Sequence, residues 1–109
     1  MLPKKISTVA LLAAATGTGA GSAHEPWNHK RTFQADGTTS AGAGAATILI
    51  QVSNDNSNWI TMGTITLTLA TTSSSDGFTS DAPWRYVRAN VSAISGTDAS
   101  VNVRMGNEA

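Results

Sequence analysis

His24, Glu25 and His29 stand close together in the stretch HEPWNHKR. Two imidazoles and a carboxylate are the start of a zinc-type ligand set. No second cluster completes it, and the stretch around Pro26 reads as a polar connector. Asp55 lies among Asn54, Asn56 and Asn58, an oxygen-rich run of the kind calcium accepts. Calcium sites draw on several carboxylates, so one acid among turn-forming residues reads as a turn. Asp76 and Asp81 share one segment and have the residue types of a glycosidase pair; loop solvation and turn capping explain them as well. Serine and threonine are plentiful, but no G-x-S-x-G elbow occurs, and both histidines sit in one connector away from any nucleophile. The expectation is a protein with no catalytic residue, no metal and no cofactor.

Recognition is the remaining chemistry. Trp59, Trp84 and Tyr86 would make an aromatic platform for a sugar or a protein partner. They would equally pack on a sheet with Arg85 or Arg88 stacked on a ring. Aromatic residues are only 6% of the chain, and a small core needs them, so packing is the reading taken forward. Thr64, Thr66 and Thr68 alternate along one strand face that is uncharged and mildly apolar. Lys and Glu are sparse at the positions expected to face outward, unlike the surface of a solvated monomer. The expected partner contacts are therefore Ile6, Val9, Leu11 and Trp27 near the N-terminus, with Thr64, Thr66, Thr68 and Phe78.

Strands must position these residues. In Thr47–Ser53, Ile48, Ile50 and Val52 alternate onto one face. In Trp59–Leu69, Ile65, Leu67 and Leu69 share a face, while Ile60 and Met62 have the other parity. Gly63 marks the phase change and predicts a bulge or bend. The Asn54–Asn58 turn makes these two segments a hairpin. Trp84–Ile94 alternates through Val87, Ala89, Val91 and Ala93, and Ala99–Met105 through Val101, Val103 and Met105. With the turn Ser95–Asp98 between them they read as a second hairpin. Thr32–Asp36 reads as a short strand, Gly37–Ala46 as a Gly-rich loop, and Ala70–Pro83 as a long polar loop. No convincing helix appears. About six to eight antiparallel strands follow, in a sandwich that covers one apolar face of each sheet.

The chain has 109 residues, 13% of them charged, with zero formal net charge and no cysteine. One domain is expected. Disulfides are excluded, and so is a clustered basic footprint for nucleic acid. Residues 1–23 are laid out like a secretory signal: Lys4-Lys5, an apolar stretch from Val9 to Ala15, then Gly21-Ser22-Ala23. The apolar part is short and dissolves into Thr16-Gly17-Thr18-Gly19, too short to span a bilayer. The expectation is an extended N-terminal arm and connector over 1–28, with a strand from Ile6 to Leu12. Either its own sheet or another subunit must hold it. The sandwich domain would follow over 29–109.

Three segments carry a resemblance: IQVSNDNSNW at 50–59, DGFTSDAPWRYVRANVSAISGT at 76–97, and SVNVRMG at 100–106. Together they resemble small β-sandwich structural proteins of tailed bacteriophages, which combine an SNDGxxW-type turn with a W-[KR]-Y-V-R-A strand. Asn56 stands where that turn commonly has Gly, which implies Asn in the left-handed region. The same segments resemble discoidin and galactose-binding-like sandwiches, although this chain is shorter and lacks their paired cysteines. The resemblance implies an all-β antiparallel sandwich, jelly-roll or galactose-binding-like. It also implies a virion protein on the outer capsid surface, a decoration or cement protein bridging neighbouring subunits. The partners would be the major capsid protein and further copies of the chain, as in a trimer, with no nucleic acid and no membrane. A tail, neck or fibre role is the near alternative. A secreted carbohydrate-binding module is the other.

Overall fold

The computed structural model describes residues 6–25, 31–80 and 84–108. Among the described residues eight strands run in order: β1 (Ile6–Ala15), β2 (Gly19–Ala20), β3 (Arg31–Thr38), β4 (Ala41–Ser53), β5 (Ile60–Leu69), β6 (Ser74–Ser80), β7 (Tyr86–Thr97) and β8 (Ser100–Glu108). The first sheet has the order β1-β8-β3-β6 and the second β2-β7-β4-β5. All pairings are antiparallel. Four of them nest around the β4–β5 turn: β4 with β5, β3 with β6, β2 with β7, β1 with β8. The chain is thus one long hairpin, folded over so that alternate pairs fall in opposite sheets. That is the double-sheet jelly roll.

Alternation drives the packing. Ile48, Ile50 and Val52 of β4, Ile65, Leu67 and Leu69 of β5, and Val87, Ala89 and Val91 of β7 are buried from one sheet. Phe33, Ala35, Val101, Val103 and Met105 meet them from the other. Burying each large aliphatic chain contributes on the order of 1.5–3 kcal/mol.

The expected β4–β5 hairpin is present, with its bulge where the phase change placed it. Ile50 pairs with Gly63 and Gln51 with Thr61, so Met62 is the extra residue. Gly63 has a second role. A Cβ there would lie 2.5 Å from Phe78 Cζ, because the Phe78 ring closes the seam between the β5 and β6 edges. Asn56 adopts φ 56° in the turn, as the missing Gly implied.

Other expectations are corrected. β7 and β8 are not a hairpin; they lie in opposite sheets. Their apolar faces look at each other across the core, and Gly96 (φ 121°) and Asp98 (φ 49°) carry the chain over. Ala93 is exposed, not inward. Thr47 pairs with Ala93 but Ile48 with Val91, so a bulge at Ser92 reverses the parity and turns Ile94 toward the core. The Gly-rich segment 37–46 is mostly strand. Gly37 is there for close packing, since a Cβ would lie 2.8 Å from both Leu69 Cδ2 and Val101 Cγ1. The polar loop 70–83 contains β6, an edge strand paired with β3.

β1 and β2 are strands of the same two sheets, so residues 6–25 are integrated into the sandwich. Of the two ways to hold the N-terminal segment, its own sheet does so through β8.

Candidate functional site

Residues directly opposite in an antiparallel pair share a face. The register therefore fixes the rows on the outer face of the second sheet. They are Ser95–Ala45–Thr68, Ala93–Thr47–Thr66, Asn90–Leu49–Thr64 and Arg88–Gln51–Thr61, with Tyr86 beside Ser53 at the end. Among these residues only Arg88 is charged. The face divides in two. One half is small and neutral: Ala45, Ala93, Thr64, Thr66 and Thr68 are exposed, with Thr47 and Leu49 half-buried between them. The other half carries planar polar and aromatic groups.

In that second half the Arg88 guanidinium lies over the Trp59 ring, 4.2 Å from its centroid. Arg88 Nε donates to Gln51 Oε1 at 2.9 Å, and Asn90 Nδ2 approaches the same oxygen at 3.5 Å. Arg85 stands over the Tyr86 ring at 5.0 Å and pairs with Glu25 at 3.4 Å. The stacking expected of these arginines is present, and Trp59 rests on the outer surface of the sheet. Trp84 differs: its side chain packs against the core, and its carbonyl accepts a hydrogen bond from the buried Arg31 at 3.0 Å.

The Asn54–Asn58 turn borders the second half. Asp55 Oδ1 accepts the backbone N–H of Ser57 (3.0 Å) and of Asn58 (2.8 Å) and the Ser53 hydroxyl (2.7 Å). Asn58 Nδ2 donates to Oδ2 at 2.8 Å. These bonds, those from Asn58 foremost, hold the carboxyl well below the usual carboxylate range. The turn expected of this run is what forms, with the acid bound to its own main chain.

The outer face of the first sheet is chemically different. Arg104 pairs with Asp36 at 2.5 Å, and Asn102 Nδ2 donates to Asp36 Oδ1 at 2.9 Å. Gln34 and Thr32 flank them on β3. This is a polar face on which the described charges, Arg104 and Asp36, are paired.

Of the residues expected to contact partners, Thr64, Thr66 and Thr68 are brought together as one exposed row. Leu11 is only 3% exposed and belongs to the core, so its side chain offers no surface. Val9 is half-buried opposite Met105 on the edge strand. Phe78 is half-buried with its ring 5.2 Å from that of Phe33. Ile6 pairs with Glu108 through the backbone; its side chain, and Trp27, lie outside the described residues. Among the other chemistry candidates, His24 bridges Val87 through its main chain, Asp76 is exposed on β6, and His29 and Asp81 lie outside the described residues. No three potential metal ligands gather among the described residues. Asn90 lies on the face opposite the apolar row of β7, as alternation along that strand implies, whereas Leu49 and Gln51 were missed as surface residues. The signal was available, because they hold the opposite parity to Ile48, Ile50 and Val52.

No protein-family model matches the chain, and no curated protein matches it. Two solved structures share its fold. The SPBc2 prophage-derived protein YomS superposes with a TM-score of 0.63 at 12% identity, over 100% of this chain and 97% of that one. The PBSX exported protein XepA superposes with a TM-score of 0.54 at 14% identity, over 95% of this chain and 36% of that longer one. At these identities the likeness is one of fold, a sandwich that phage-derived proteins also use.

Proposed function

We propose that this protein is a structural component of a tailed-phage virion, acting as a decoration or cement protein that bridges neighbouring capsid subunits. The observation that carries the reading is the small, neutral half of the second sheet's outer face. It presents Ala45, Ala93, Thr64, Thr66 and Thr68 around Leu49 without a charge to desolvate. Such a face buries against a flat protein surface without stranding an ion. Fold likeness to two prophage-encoded proteins supports the virion setting. Many copies on a lattice, self-associated and docked on the major capsid protein, turn a modest contact into a stable shell through avidity. A tail, neck or fibre position would use the same face.

Native mass spectrometry and co-sedimentation with purified capsids test this. Saturable binding is expected, and Thr66→Lys, which introduces a charge at an exposed site, should abolish it while leaving the melting temperature nearly unchanged. A monomer that ignores capsids, tails and fibres alike would refute the reading.

A further inference from the structure

Asp-Gly is among the dipeptides most prone to rearrange unaided. Glycine sets no side chain against the five-membered ring that its nitrogen closes on the aspartyl Cγ. The sequence holds two such pairs, Asp36-Gly37 and Asp76-Gly77, and the fold treats them differently. Asp36-Gly37 lies on β3, an interior strand with ladders to β8 and β6. Its carboxylate is tied across to β8 by Arg104 and Asn102. Gly37 is buried against Leu69 and Val101. Asp76-Gly77 lies on β6, at the edge of the sheet, and both residues are exposed. There the Gly77 N–H donates to Asp76 Oδ1 at 2.8 Å, which holds the nitrogen beside the carboxyl group it would attack. The glycine is also built into the packing, because a Cβ at 77 would run into the Phe33 carbonyl oxygen on β3.

We propose that Asp76-Gly77 is a site of spontaneous covalent modification, at which the chain converts to isoaspartate through a cyclic imide, and that the fold protects Asp36-Gly37 from the same change. Gly77 N bonds to Asp76 Cγ, and the proton on that nitrogen leaves with the hydroxyl of the protonated carboxyl as water. Water then adds to one of the two imide carbonyls. Opening at Cγ restores aspartate. Opening at the Asp76 main-chain carbonyl breaks its bond to Gly77 and leaves the chain running through Cβ and Cγ. One water leaves and one returns, so the mass is unchanged and no other reactant is consumed. An edge strand opens locally more readily than an interior one, which lets Asp76 and Gly77 reach the ring geometry. Asp36 must first give up Arg104 and Asn102, on a strand laddered on both sides. The product carries an extra main-chain carbon at residue 76, so the register with β3 slips beyond it. The first ring displaced is Phe78, which pairs opposite Phe33 and lies against Gly63. The inference stands whether or not the protein docks on a capsid.

The test is warm storage of the full chain at neutral pH, folded and, in parallel, unfolded in guanidinium chloride. Samples are taken until the unfolded chain shows isoaspartate at both pairs. An isoaspartate-specific methyltransferase measures the product, and electron-transfer fragmentation of proteolytic peptides places it. In the folded protein isoaspartate is expected at residue 76, with about tenfold less or lower still at residue 36; in the unfolded chain the two should be similar. Asp76→Glu, whose longer side chain does not close the five-membered ring, should remove the signal from the folded protein at a melting temperature near that of the parent. The isoaspartyl fraction, separated by chromatography, should melt below the parent. Comparable accumulation at both pairs in the folded protein would overturn the proposal. So would none at residue 76 by the time the unfolded chain shows it at both. An isoaspartyl fraction that melts with the parent would overturn the slipped register.

Discussion

Replacing Gly63 with alanine isolates one packing contact. Gly63 has no positive φ, so the backbone accepts a Cβ. The obstacle is the Phe78 ring, with Cζ at 2.5 Å and both Cε atoms at 3.0 Å from the new atom. Ordinary carbon contacts begin near ~3.5 Å, so the ring must retreat by about an ångström. It is backed by Phe33 at 5.2 Å between centroids, and Phe33 is only 1% exposed. Overpacking of this kind costs about 2 kcal/mol, which for a domain of this size lowers the melting temperature by roughly 9 °C. A double-mutant cycle with Phe78→Leu identifies the cause. Leucine withdraws the ring atoms, so in its presence Gly63→Ala should cost markedly less, with a coupling of at least ~1 kcal/mol. Urea unfolding of the four proteins, at equal m-value, supplies the measurement. Strictly additive losses would refute the reasoning and place the glycine requirement in the bulge itself.

Three further outcomes are expected. Asn56→Ala should cost about 1 kcal/mol, because the residue sits at φ 56°, while Asn56→Gly should be near neutral; thermal melts of the pair decide this. The Asp55 pKa is depressed in the fold, so its stabilising contribution is present above about pH 4 and is lost as pH falls toward the folded value. Urea midpoints at pH 7 and pH 3 should therefore differ less in Asp55→Asn than in the parent. Phe33→Ala empties the position behind Phe78 and should cost about 4 kcal/mol, read as a large drop in urea midpoint; a loss under ~1 kcal/mol would place Phe33 outside the core.

Much of this was legible in the sequence, for reasons that also mark where legibility stops. The inward faces of β4, β5, β7 and β8 follow from strict alternation, and the β4–β5 turn from its asparagines. β6 was hidden because Phe78 is the one apolar residue on its inward side, beside Ser74, Asp76 and Ser80, so the edge strand reads as a polar loop. β7 and β8 read as a hairpin because Ser95-Gly96-Thr97-Asp98 has the same turn chemistry whether the chain returns alongside itself or crosses to the facing sheet. The Ser92 bulge left no glycine to announce it. In the candidate site, the threonine row could be read along one strand. The association of Trp59 with Arg88 spans three strands and depends on register, which a single segment does not encode.

The nested pairing of strands has a consequence for how the protein is made. Only β4 and β5 are neighbours in sequence among the four nested pairs; each outer pair closes a longer loop, which slows folding. During synthesis the first strands emerge before their nested partners exist, and those partners become available in the reverse order, β5 for β4 first and β8 for β1 last. β1, made first, waits for β8, made last. β8 lies between β1 and β3, so a product that stops before Ser100 loses the strand joining them, and the first sheet falls into separate pieces. The first sheet is therefore held together by the strand made last of the eight: without β8, β1 has no partner and β3 keeps only β6.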